Sequence, residues 1–271
     1  MADILGLVFR RFASGTGRTD FLFPSSVEGN TLLCGDAKIS RSVLFLSAVT
    51  AATDLGLKVL FFTQTSFQSL PVSLRASVPG LKLESLKNVK FVYVKTLGEL
   101  AEDVASLHEL ASEAASSPSL IIVDGLEQYL QELQDDPSPV AHVAALLHDT
   151  AAFLTQIQQN RADGQGLCRV MVSFQNECEG SRVSEAPDLL LSVLDRYLQV
   201  RCTFEAVAGQ NEWQVYLSDT CPSSTRQGQQ WHMVLQAEGG LEFRPVIGGE
   251  KQILDQRDKI KQEKERCEDR K

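Results

Sequence analysis

Residues 31–42 read Thr31-Leu32-Leu33-Cys34-Gly35-Asp36-Ala37-Lys38-Ile39-Ser40-Arg41-Ser42, and the apolar run Val43–Val49 follows at once. Four apolar or β-prone residues, a tight turn at glycine and a long apolar stretch predict a strand, a loop and a helix. At such a junction, backbone N–H groups at the helix N-terminus can converge on an anion. The phosphate-loop pattern G-x-x-x-x-G-K-[ST] is only half met. Gly35 takes the first glycine and Ser42 the magnesium-binding hydroxyl, whereas Ser40 stands for the second glycine and Arg41 for the lysine. Ser40 adds a Cβ where glycine gives backbone freedom, and Arg41 exchanges a compact ammonium for a planar fork. Lys38, inside the loop, offers a second positive charge. The plainer reading is a strand-to-helix turn with Ser42 as an ordinary hydroxyl near the helix start.

Outward from this stretch the pattern repeats. Short apolar runs at Lys58–Thr63, Val89–Val94, Leu120–Val123 and Val170–Phe174 alternate with segments of helical spacing. Leu97–Ala115 and Val140–Ile157 carry apolar residues every three or four positions. Continuous apolar strands joined by crossover helices predict a parallel sheet buried on both faces. After about Asp188, strand-like runs at Leu198–Glu205, Glu212–Ser218, Trp231–Gln236 and Leu241–Val246 are separated by short turns. Such turns join antiparallel strands, so this part is expected to extend the same sheet. The fold class is therefore α/β, with a parallel core and an antiparallel C-terminal extension. Residues 1–30 are expected to be an N-terminal arm, 31–247 the domain, and 248–271 a charged helical or disordered tail.

Composition narrows the function classes. The chain has 271 residues and a formal net charge of −9, which argues against coating nucleic acid through bulk charge. No apolar run reaches the roughly 18 residues of a membrane span, and no membrane partner is expected. Near the N-terminus the basic pair Arg10-Arg11 follows the apolar run Ile4–Phe9, the reverse of a secretory signal. Ile4–Phe9 with Phe12 is instead a candidate either for docking on a neighbouring subunit or for disorder. Six cysteines at least ten residues apart, with no C-x-x-C pair, suggest a reducing compartment rather than a disulfide framework or zinc site.

A second element raises the interest of the turn at Gly35. Leu120-Ile121-Ile122-Val123-Asp124 ends an apolar strand in a carboxylate, as in phosphate-loop proteins where such an aspartate helps hold Mg²⁺. The expectation is that Gly35 and Asp124 face each other across adjacent strand ends.

With these residues in place, the chain resembles the RecA and recombinase-paralog family. It is most similar to RecA-like ATPases that pair with SWIM-type zinc-finger proteins in metazoan Shu complexes. The resemblance runs from about Thr31 to Val246. It is carried by Leu120–Leu130 (LIIVDGLEQYL), Ala144–Phe153 (AALLHDTAAF), Met171–Gln175 (MVSFQ), Leu194–Cys202 (LDRYLQVRC) and Trp231–Val246. It implies a RecA-type core, ATP and Mg²⁺ as cofactors, hydrolysis stimulated by single-stranded DNA, and an obligate SWIM-domain partner. Recombinase or its paralogs would be further partners, and the nucleus the location.

Residue by residue, the resemblance puts Gly35, Lys38, Ser40, Arg41 and Ser42 on the nucleotide, Ser42 and Asp124 on the metal, and Gln175 at a nucleotide-sensing position. Where such enzymes carry a glutamate after the second strand, this chain has Gln64 and Thr65, neither able to accept a proton as a carboxylate does. Hydrolysis by the isolated chain is therefore expected to be weak or absent. The two DNA loops of the family correspond to Gln131–Pro139 and Asn176–Pro187, which are acidic and repel phosphate. DNA contact is left to the complex, or to Arg10, Arg11, Arg18, the lysines at 82, 87, 90 and 95, or the tail. Two other readings stay open: a competent P-loop ATPase or phosphotransferase unrelated to recombination, and a purely structural interaction module.

Overall fold

The computed structural model describes residues 3–13, 29–67, 84–113, 117–130, 136–160, 166–175, 186–207, 211–220, 228–237 and 239–246. The proposed tail, and most of both loops matched to DNA binding, lie outside them. Nine strands form one sheet: β1 (Thr31–Cys34), β2 (Val59–Thr63), β3 (Val89–Tyr93), β4 (Leu120–Val123), β5 (Arg169–Phe174), β6 (Val200–Ala206), β7 (Glu212–Asp219), β8 (Gln229–Leu235) and β9 (Leu241–Pro245). Their order is β3-β2-β4-β5-β1-β6-β7-β8-β9. From β3 to β6 every pairing is parallel, and from β6 to β9 every pairing is antiparallel. This is the parallel core with an antiparallel extension that a RecA-like chain requires.

Five α-helices are present among the described residues: α1 (Ile4–Arg11), α2 (Ala37–Asp54), α3 (Leu97–Glu113), α4 (Ser138–Gln159) and α5 (Ala186–Tyr197). Because successive strand residues point to opposite faces, β1 sends Leu33 into one core and Leu32 into the other. The first core joins α1, α2 and the inner face of the antiparallel strands, and the second is roofed by α3, α4 and α5. Helix α2 is buried around most of its circumference from Val43 to Ala52. That explains its continuous apolar run, which an amphipathic surface helix would not have.

The N-terminal segment departs from expectation. Rather than an arm, Ile4–Arg11 is a helix in the domain's own core, with Ile4, Leu5, Val8, Phe9 and Phe12 buried. Asp3 caps it, accepting from Gly6 N–H at 3.1 Å. Phe9 stacks on Phe243 with ring centroids 4.6 Å apart and lies 5.3 Å from Trp231. Phe243 N–H donates to Phe12 O at 3.0 Å, and Arg11 pairs with Asp54 of α2 at 2.8 Å. These apolar side chains are spent inside the subunit, so they are not available to dock on a neighbour, and Arg11 already has a counter-ion. Ile4, Leu5, Val8, Phe9 and Phe12 thus belong to the same hydrophobic core as the strands.

Cys34, Cys168 and Cys202 are free and buried. Burial pushes the Cys34 thiol up to about 11 and Cys168 up to about 12, and raises Cys202 as well. Thiolate is the reactive form, so these three should resist iodoacetamide at pH 8 in the native protein. Peptide mass mapping should find them alkylated only after denaturant is added; labelling of Cys202 in native buffer would contradict the packing. Among the described residues no helix is long and apolar enough to cross a membrane.

Candidate functional site

The carboxyl ends of β1, β4 and β5 meet at a cleft lined by Gly35, Lys38, Ser40 and Arg41 from the first junction, Asp124, Gly125, Glu127 and Gln128 after β4, and Ser173 and Gln175 from β5. Gly35 and Asp124 do share it. Their strands are not neighbours, however, because β5 runs between β4 and β1. The expected adjacency is corrected by one strand, and β5 thereby contributes Ser173 and Gln175 to the floor.

Gly35 sits at φ 142°, in the region that favours glycine. A Cβ there would lie 2.8 Å from the Phe204 carbonyl oxygen of β6. Its requirement comes from this close approach of neighbouring backbone. Asp36 follows as the N-cap of α2, its carboxylate accepting from the N–H groups of Lys38 at 2.9 Å and Ile39 at 3.0 Å. Ser40 N–H donates to Asp36 O at 2.9 Å. The helix thus begins at Ala37 rather than near Arg41, where a phosphate-loop helix would begin.

Arg41 crosses the cleft. Its Nε lies 3.4 Å from Asp124 Oδ2, Nη2 donates to Thr65 O at 2.7 Å, and Nη1 donates to Thr65 Oγ1. The guanidinium carbon lies 4.3 Å from the Phe67 ring centroid. Asp124 is 3% exposed and also accepts from Thr63 Oγ1 at 2.9 Å. Burial raises its pKa against the opposing pull of Arg41 and Thr63. Desolvation outweighing attraction is the usual balance for a buried ion pair.

Beyond Asp124, Gly125 at φ 68° turns the chain into a short 3₁₀ segment, Leu126–Tyr129. That turn brings Glu127 back to the cleft, where a carboxylate oxygen accepts from Gln175 N–H at 2.9 Å. Gly125 N–H donates to Ser173 Oγ at 2.8 Å, binding the ends of β4 and β5 together. Glu127 is also shifted upward by burial.

Of the residues singled out from the sequence, Gly35, Lys38, Ser40, Arg41, Asp124 and Gln175 come together. Ser42 and Gln64 do not line the cleft. The Ser42 hydroxyl donates back to Lys38 O at 2.8 Å, as a serine one turn into a helix does. The Gln64 amide donates to Lys95 O at 3.0 Å, beyond the end of β3. Asp36, Phe67, Glu127, Gln128 and Ser173 were not anticipated, and Thr65 was named only beside Gln64 after the second strand. Asp36 had a readable signal, an N-cap residue directly before a helical run.

These residues, so arranged, do not fit a magnesium-bound nucleoside triphosphate. The N–H donors of residues 38, 39 and 40 are already used, and a carboxylate occupies the anion position of the helix. A guanidinium faces Asp124. Ser40 Oγ is buried without a partner, but it is one hydroxyl beside several acids. The cavity measures about 120 Å³, below the roughly 300–1,000 Å³ of ligand pockets.

No family model matches the chain. Two curated proteins named "ATPase SWSAP1" are similar to it. The mouse protein (Mus musculus) is 37% identical over 173 residues, 63% of this chain and 56% of that protein. The human protein (Homo sapiens) is 29% identical over 208 residues, 75% of this chain and 83% of that protein. The chain thus spans little more than half the length of the mouse relative. These homologues bear out the resemblance carried by the Leu120–Leu130 and Ala144–Phe153 blocks.

Proposed function

We propose that this homologue of the proteins named ATPase SWSAP1 is a RecA-like subunit of a Shu-type homologous-recombination complex. In this reading it acts in the nucleus, binds a SWIM-type zinc-finger protein as an obligate partner and supports recombinase filaments as a scaffold. Single-stranded DNA is engaged through the complex. Its own ATP hydrolysis is weak or absent. The observation that carries the reading is the homology, on a sheet whose parallel core gathers Gly35, Asp124 and Gln175 at one cleft.

The scaffold role is favoured over a competent ATPase by the side chains themselves. Gln64 lies away from the cleft, and Glu127, among the described residues, uses a carboxylate oxygen to hold the Gln175 N–H. A general base must be within hydrogen-bond reach of the attacking water, and no sequence-matched glutamate stands after β2 to serve.

Co-expression with a SWIM-domain protein tests this directly. The expected result is a stable heteromer by mass measurement, with turnover on single-stranded DNA near background. The isolated chain should bind single strands with a shallow dependence on salt, since few phosphates are neutralised. A chain that remains monomeric beside its SWIM partner, or hydrolyses ATP robustly in an Arg41-dependent way, would overturn the proposal.

A further inference from the structure

We infer that Arg41 is the resident counter-ion of Asp124 and that it closes this cleft to magnesium-bound nucleotide, turning a phosphate site into an internal strut. The inference deepens the scaffold reading and rests on the cleft being the counterpart of a nucleotide pocket.

Two independent features support it. The first is the way Arg41 is held. Its fork meets Asp124, both the hydroxyl and carbonyl oxygens of Thr65, and the face of Phe67. Planar delocalised charge with several directed donors suits this set, and a lysine ammonium would satisfy only part of it. Phe67 in turn packs against Phe45 of α2, Phe61 of β2 and Phe91 of β3, with centroids 4.9, 5.5 and 5.3 Å away. Arg41 therefore ties α2, the segment after β2 and the end of β4 into one unit. A divalent cation approaching Asp124 Oδ2 therefore meets a guanidinium already held by these contacts.

The second feature is the cap. Asp36 places a carboxylate on the Lys38 and Ile39 N–H groups, where an incoming phosphate would need to sit. Like charges exclude each other at this distance. Neither feature depends on the other, and both act in the same direction.

Thermal unfolding of the full chain with and without millimolar Mg·ATP provides the test. A ligand present at a hundred times its Kd would raise Tm by about 5–10 °C for a domain of this size. The expected rise is none, and a rise of about 5 °C or more would overturn the inference. The strut itself is read by a double-mutant cycle on the same assay. Arg41→Ala should lower Tm on the order of 5 °C by stranding a buried carboxylate, and Asp124→Asn should lower it less. Arg41→Ala combined with Asp124→Asn should recover most of the loss. Simple addition of the two effects would refute the strut. If Arg41→Ala does not fold, the double variant folding normally reads the same coupling, and failure of both refutes it. Capture of the SWIM partner by the unmodified chain is scored separately. Its loss defeats the scaffold reading alone, while an Mg·ATP shift defeats this inference and leaves the partner in place.

Discussion

Phe9→Ala lowers Tm by about 6–20 °C, the largest effect expected of any side-chain truncation among the described residues outside the sheet. Phe9 is fully buried, stacked on Phe243 and tilted against Trp231. Truncating a buried phenylalanine removes transfer free energy and leaves a cavity, together about 3–5 kcal/mol. The aromatic geometry adds about 0.5–1.5 kcal/mol beyond area. Little relaxation can fill the gap, because α1 is pinned at both ends by the Asp3 cap and the Arg11–Asp54 pair. Differential scanning fluorimetry on the two proteins suffices. A shift below about 2 °C would mean that α1 is peripheral in solution.

Gly35→Ala should destabilise by about 2–6 kcal/mol in urea with no nucleotide present. A new Cβ would sit 2.8 Å from the Phe204 carbonyl oxygen and 2.9 Å from Phe204 Cβ, on a backbone at φ 142°. Backbone strain and overpacking act together, and the obstacle is a strand rather than a yielding side-chain tip. Gly56→Ala is the matched control. It also has positive φ, 63°, but nothing lies within 4 Å of its added Cβ. It should lose only about 1 kcal/mol. Equal losses at the two positions would show that β6 gives way and that close packing is not why residue 35 is glycine. A glycine retained solely for phosphate approach would leave apo stability unchanged.

The strands of the parallel core were legible because burial on both faces writes them as unbroken apolar runs. Leu120–Val123 is placed as expected, and β1, β2 and β5 shift by a residue at most. The antiparallel extension was readable from its short turns. Helix α1 was not, since what makes it core is Trp231 and Phe243, more than 200 residues along the chain. Periodicity within eight residues carries no information about a partner that distant. At the cleft, Gly35 and Asp124 are marked by their positions at strand ends and Gln175 by the family resemblance, and the topology brings the three together. Asp36 was overlooked because the phosphate-loop template sets the helix start near Arg41, whereas the N-cap preference for aspartate sets it at Ala37. Glu127 returns to the cleft through the left-handed Gly125, a bend that no apolar pattern encodes.

Helix α1 leaves the ribosome long before the strands that cover Phe9. At translation speeds of about 5–20 residues per second, the rings of Trp231 and Phe243 emerge on the order of ten seconds or more after it. Throughout that interval the nascent chain carries an aromatic helix without the ring partners that complete its packing, a natural binding site for holding chaperones. A premature stop anywhere before β9 would make that exposure permanent and mark the fragment for degradation.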